Sequence, residues 1–343
     1  MGLLGADPGG EPWFNRTLTQ MLAEGIMVDG NQIATDNAAP AGRATTYGYH
    51  STTSSVYFAK GNFGNQGTMT VGWANYNSSN AWANTTEIFT FADVGTHQIE
   101  IRTNGSGQLY ITRNGTTVGS ASTNVLTTGW HYFEITVVFA TGATGSVLVK
   151  VDGVTFLNLT SVQTSSTANA YTNRFYIQPI VGNFAQWYKD IYWRSDSTMM
   201  GDTTVNVCYA ASAGPSQQFS PSAGTQVACV QDGITHTGTW PNDSDYIFDS
   251  NSGDVSDFAP QNVTVPGGGS IKAVIHGSRL SGDVAGATAQ QYTKSGSTVH
   301  TTSTITLGTS PSYYFDVMET DPNTGSAFTQ SGFNASTHGV KRP

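Results

Sequence analysis

Between His97 and Gly153 apolar and polar residues alternate with period two through four successive segments, with a turn signal at each break. Ile99 and Ile101 alternate with polar neighbours up to Asn104-Gly105, and Leu109 and Ile111 do so up to Asn114-Gly115. Phe133, Ile135 and Val137 share one side of the third segment, opposite Tyr132, Glu134 and Thr136. Val147, Val149 and Val151 line the fourth, which ends at Asp152-Gly153. Strand side chains point alternately to two faces, so this pattern predicts an antiparallel sheet with one face buried. Asn-Gly and Asp-Gly suit the breaks because the favoured two-residue hairpin loop needs positive φ at its central residues.

Val56-Tyr57-Phe58, Met69–Trp73 and Ile88–Phe91 add earlier strands. A late strand runs from Trp187 to Arg194, with Trp187, Ile191 and Trp193 on one face in a core pattern. Residues 1–30 read as an arm, with Pro8-Gly9-Gly10 followed by a short helix capped at Asn15. Its stripe is Leu18, Met21 and Leu22, and Gly25 ends it. The stripe suits either a cap on the sandwich or a contact with a neighbouring subunit. Residues 31–198 read as one β-sandwich and 199–343 as a second, smaller one. The second carries Val205, Val207 and Tyr209 in alternation, then strands at Ser270–His276, Thr302–Leu307 and Tyr313–Val317. Gly214-Pro215-Ser216, Pro266–Gly269 and Gly308–Pro311 separate them as turns. The expected fold class is all-β.

The order of the pieces supports a resemblance. A Gly-x-Leu-Tyr strand (Gly107–Tyr110), an Asn-Gly turn, the strand opening Gly129-Trp130-His131 and one closing Val151-Asp152-Gly153 resemble the laminin-G and concanavalin-like jelly roll. A resemblance over nearly the whole chain is to a family of tailed-bacteriophage virion proteins. It is carried by Gly129-Trp130-His131-Tyr132-Phe133-Glu134, Lys189-Asp190-Ile191-Tyr192, Met200-Gly201-Asp202, and Asp321-Pro322-Asn323-Thr324-Gly325 followed by Phe328-Thr329. The resemblance implies a structural virion component, tail-associated, in an appendage or decorating the capsid. It would be made in the host cytoplasm, partner other virion proteins and self-associate, as a trimer or hexamer around a particle axis. The expectation is that such a chain is not an enzyme.

Composition narrows the classes. The 343 residues include 39 glycines, only 11% are charged, and the net charge is −9. A turn-rich β protein fits this composition. No run of Lys or Arg supplies the footprint of a nucleic-acid binder, and no apolar stretch predicts membrane insertion. The start, MGLLGADPGGEP, lacks the basic and apolar regions of a secretory signal, so the sequons at Asn77, Asn84, Asn114, Asn158 and Asn262 are expected to stay bare. Cys208 and Cys229 are expected to be free, buried thiols.

Candidate chemistry is sparse. A glycosidase needs two carboxylates across the scissile bond. Glu100 and Glu134 lie on polar faces of separate strands and could face one another, but no Glu-x-Asp-x-x-Glu run supports them. His131 alternates with Phe133 and Ile135 and reads as a core or interface histidine. Among metals the pattern offers calcium. Asp93 and Asp152 stand at strand ends, and Asp249, Asn251 and Asp254 form the best ligand set in a loop with Asp243, Asp245 and Asp257. A solvated acidic loop accounts for them equally, and no other cofactor is expected. Tyr76 and Trp82 flank an Asn/Ser-rich loop and are the candidate platform for a host-surface glycan, since sugars stack on aromatic faces. A carbohydrate-binding adhesin is therefore the alternative to the structural reading.

Overall fold

The structure is a computed structural model that describes residues 2–7, 26–28, 34–35, 49–51, 58–78, 82, 85–178, 186–231, 243–267 and 269–343. The chain is nearly all β and divides into two compact units, residues 1–206 and 207–343. Residues 199–206, expected in the second unit, belong to the first. Their backbone is held there by Glu134 Oε1, which accepts Gly201 N–H at 2.8 Å, and by Asp190 Oδ1, which accepts Val205 N–H at 2.9 Å.

The strands of the first unit are β1 (Leu3–Asp7), β2 (Ile26–Val28), β3 (Ala34–Thr35), β4 (Tyr49–Ser51), β5 (Phe58–Gln66), β6 (Thr68–Asn77), β7 (Thr86–Asp93), β8 (Thr96–Thr103), β9 (Leu109–Arg113), β10 (Thr116–Val118), β11 (Gly129–Val138), β12 (Gly145–Val151), β13 (Val154–Val162), β14 (Thr172–Ile177) and β15 (Gln186–Arg194). Sheet I runs β13-β12-β11-β6-β15-β4-β3, with β1 also paired to β15, and sheet II runs β10-β9-β8-β7-β14-β5-β2. Each sheet sets an early strand beside a late one, β6 by β15 and β7 by β14, as a jelly roll does. The alternation read from the sequence forms the core between them. Trp73 of sheet I stacks at 5.0 Å on Phe89 of sheet II and at 4.9 Å on Phe133. All three are fully buried, each burial contributing about 1.5–3 kcal/mol.

Two turns form at the expected dipeptides, with positive φ at Asn114 and Gly115 and at Asp152 and Gly153. Asn104-Gly105 behaves differently. The loop is longer: Asn104 Oδ1 caps the N–H groups of Ser106 and Gln108, and the positive φ falls on Gly107. The core pattern expected of Trp187, Ile191 and Trp193 is also corrected. A bulge between Lys189 and Tyr192, with Asp190 at φ 53°, adds a residue and reverses the alternation. Ile191 and Trp193 enter the core, while Trp187 pairs with Tyr76 on the outer face of sheet I. The arm helix expected at Asn15–Gly25 lies outside the described residues.

The second unit contains β16 (Ala210–Gln217), β17 (Ser220–Pro221), α1 (Gln226–Val230), β18 (Ile247–Phe248), β19 (Val255–Pro260), β20 (Val274–Leu280), β21 (Thr288–Ser295), β22 (Thr298–Thr301), β23 (Ile305–Thr306), β24 (Ser312–Met318), α2 (Gln330–Asn334) and β25 (Thr337–Lys341). Sheet III runs β16-β19-β25-β21-β22, with β23 on β21, and β20 and β24 form a separate ribbon. Gln291 of β21 donates to the carbonyls of His276 and Tyr314, which ties the ribbon to the sheet as a smaller sandwich. Gly214-Pro215-Ser216, expected as a turn, lies within edge strand β16. The register against β19 shifts between Ala213 and Gln217, and a proline fits an edge at such an irregularity. Val205–Tyr209, expected as a strand, precedes β16. Cys208 and Cys229 are free, Cys229 buried and Cys208 half-buried.

Candidate functional site

The residues singled out in the sequence scatter. Trp82, expected at a surface platform, is fully buried, with its ring 5.6 Å from Phe133. Its ring belongs to the core of the first unit. Tyr76 is half-buried on the outer face of sheet I, 5.4 Å from both Trp130 and Trp187. The two therefore do not form one platform. Glu100 and Glu134 cannot face one another: β8 lies in sheet II and β11 in sheet I, and each carboxylate points away from the core between them. His131 is satisfied, with Nδ1 at 2.6 Å from Asp152 Oδ2 and Nε2 at 2.9 Å from Thr127 O.

Of the calcium candidates, Asp152 is engaged by His131 and by Tyr132 N–H at 2.7 Å. Asp93 accepts Asn169 Nδ2 at 2.8 Å. Asp249, Asn251 and Asp254 do meet, but Asn251 turns its Nδ2 donor to the two carboxylates, at 3.4 and 3.2 Å. Amide hydrogens then stand where a cation would, so the geometry is that of a hydrogen-bonded turn.

A different group assembles on the outer face of sheet II. Glu100 and Arg102 share that face by strict alternation on β8. Two bulges add to it. Opposite Arg102 and Ile101, β7 spends three residues, Glu87 to Phe89, which brings Glu87 onto the face of Thr90. Opposite Phe91 and Ala92, β8 spends three residues, Ile99 back to His97, which brings His97 onto the face of Glu100. Bulges re-aim side chains in this way and are frequent beside active sites.

The group is tightly bonded. His97 Nδ1 lies 2.9 Å from Glu100 Oε1 and 3.7 Å from Glu87 Oε1. Arg102 Nη1 reaches Glu87 Oε2 at 3.3 Å and Glu100 Oε2 at 3.4 Å. Thr112 donates to Glu100, and Thr90 and Gln178 donate to Glu87. Tyr110 bonds Arg102 on one side, and the Tyr176 ring lies 6.3 Å from His97 on the other. His97 and Arg102 remain open to solvent, with side chains 35% and 27% exposed.

These contacts drive the two carboxyls apart. Burial raises Glu87 above the ordinary carboxylate range, against the Thr90 bond and the His97 charge. Burial also acts to raise Glu100, but bonds from His97 and Thr112 and the charges of His97 and Arg102 outweigh it and hold the group at about 2. The Glu100 bond raises His97. A carboxyl pushed up beside one held ionised is the division that acid–base chemistry uses. Glu87, His97 and Glu100 are also the set, among the described residues, with the donor atoms to hold a metal ion. Sequence reasoning reached Glu100 alone, because period two is blind to a partner delivered by a bulge.

No family model matches the chain, and no curated protein matches it. Solved structures do resemble it. An endo-β-1,4-glucuronan lyase from the fungus Trichoderma reesei is 14% identical over 57% of this chain and 100% of its own, with a TM-score of 0.39. The alginate lyase Aly36B is 13% identical over 43% and 79%, with a TM-score of 0.34. The cellulose-induced protein Cip1 is 13% identical over 51% and 88%, with a TM-score of 0.35. Likenesses this distant assign no activity to the chain. They do correct one expectation: with polysaccharide lyases among the structures it resembles, the inference that this chain is not an enzyme does not stand.

Proposed function

We propose that the chain is a component of a tailed-bacteriophage particle whose first sandwich recognises a carbohydrate through the outer face of sheet II. The virion half of this reading rests on the resemblance carried by Gly129–Glu134, Lys189–Tyr192 and Asp321–Gly325, with other virion proteins and further copies of the chain as partners. The recognition half rests on one observation: Glu87, His97, Glu100 and Arg102 converge between Tyr110 and Tyr176 on a partly open face. A few placed polar groups beside aromatic rings are what a sugar site needs, with hydroxyls bonded by the former and ring faces covered by the latter.

The test pairs mass spectrometry of purified particles with a glycan array probed by the purified chain. Particle-bound chain, and binding that Arg102→Ala and Tyr176→Ala each reduce at least about tenfold without loss of fold, is the expected result. A blank array removes the recognition half, and a chain absent from particles removes the virion half.

A further inference from the structure

We propose that Glu87, His97 and Glu100 bind one divalent transition-metal ion of the zinc type, through Glu87 Oε1, His97 Nδ1 and Glu100 Oε1, with the solvent side of the ion open. The donor spacing carries the inference. One ligand atom from each residue lies within 4.8 Å of the others, and the two imidazole–carboxylate separations are 2.9 and 3.7 Å. Zinc–nitrogen and zinc–oxygen bonds of about 2.0–2.2 Å in a tetrahedral arrangement set ligand atoms about 3.3–3.6 Å apart, so small side-chain shifts suffice to close the site. A mixed nitrogen and oxygen donor set suits zinc better than calcium, which prefers oxygen throughout.

The ion would have to displace Thr90 and Gln178 from Glu87 Oε1, whereas the oxygens that would not touch it keep their partners. Arg102 takes Oε2 of both glutamates, and Thr112 Oγ1 and Gly115 N–H also donate to Glu100 Oε2. Such outer contacts orient metal-binding carboxylates. Charge points the same way. With His97 neutral, as a metal-binding imidazole is, two carboxylates and one guanidinium leave an excess of one negative charge, which a divalent ion more than offsets. Glu100 is nearly buried, while His97 is exposed enough to give an ion a path in. Both bulges serve this group, since without them Glu87 and His97 would not share the face of Glu100. Three protein ligands leave a fourth position for water or another oxygen ligand.

The inference does not depend on the carbohydrate reading, because the ion is measured without any sugar. The 343-residue chain, stripped with a chelator, would be titrated with zinc chloride by calorimetry. Cobalt(II) would be titrated in parallel, since its visible absorption reports low coordination number. The expected result is one ion per chain, with affinity lowered at least about tenfold in Glu87→Gln, His97→Gln and Glu100→Gln. Circular dichroism and the urea midpoint check that each variant is folded. His97→Gln is the decisive one, because its partly exposed ring can be replaced without opening the core. No binding at millimolar zinc, or binding unchanged in folded His97→Gln, would overturn the proposal and leave the group as an ion-pair network.

Discussion

Tyr192 donates its hydroxyl to Glu134 Oε1 at 2.6 Å on the outer face of sheet I, and the same oxygen accepts Gly201 N–H at 2.8 Å. Both side chains are buried, and burial together with the Glu134 charge pushes the Tyr192 hydroxyl far above its ordinary range, so it stays a donor. A hydrogen bond to a charged group contributes about 1.5–3 kcal/mol. Tyr192→Phe is therefore expected to lower the unfolding free energy by about that amount in urea denaturation. An unchanged midpoint would show that the bond contributes nothing.

Gly72 lies under the same ring. A methyl group there would overlap the Tyr192 side chain, so Gly72→Ala must displace the ring and weaken its bond to Glu134. The expected cost is about 1–3 kcal/mol from overpacking. Most of it should vanish in a Tyr192→Ala background, where the space is free. Full additivity of the two changes would mean that the glycine is needed for another reason.

Trp82 and Tyr76 separate cleanly. Trp82 is fully buried against Phe133, so Trp82→Ala should destabilise the first unit by about 3–5 kcal/mol. Tyr76 keeps part of its surface in solvent and should cost less. Equal denaturation midpoints for the two variants would contradict this placement. Any loss of ligand binding in Trp82→Ala would then report a damaged core.

Acid should weaken the second unit. His276 of β20 and His338 of β25 stand with ring centroids 5.5 Å apart. Burial pushes His276 down to about 3, helped by the charges of His338 and His300, and pushes His338 down to about 4. Ser278 bonds His276, Thr293 and Ser336 bond His338, and His300 sits on Asp316 at 2.9 Å. Both rings stay neutral in the folded chain, whereas the unfolded chain takes up protons near 6.5. Below that pH the unfolded state binds more protons. The stability contribution is therefore complete above about 6.5 and declines as pH falls toward the folded values. Hydrogen exchange in residues 274–280 and 337–341, corrected for intrinsic rates, should show less protection at pH 5 than at pH 7. His338→Gln should flatten the difference, and equal protection at both pH values would defeat the argument.

What the sequence by itself determined is the all-β class and most of the first core. Period two is a local property of a strand, so Phe133, Ile135, Val137, Val147, Val149 and Val151 could be placed inward from their spacing alone, and all are buried. Asn114-Gly115 and Asp152-Gly153 declared their turns because positive φ has a local chemical signature. The tertiary structure decided what depends on irregularity or on distant pairing. The bulge at Asp190 moved Trp187 off the core face, and the bulges in β7 and β8 assembled Glu87, His97 and Glu100. One inserted residue reverses every later side chain, and no composition or spacing marks where it falls. Central strand β25 escaped notice for a related reason. Its Gly339 lies against the backbone of Ser256 in the neighbouring strand, a close approach that exists only once sheet III has formed.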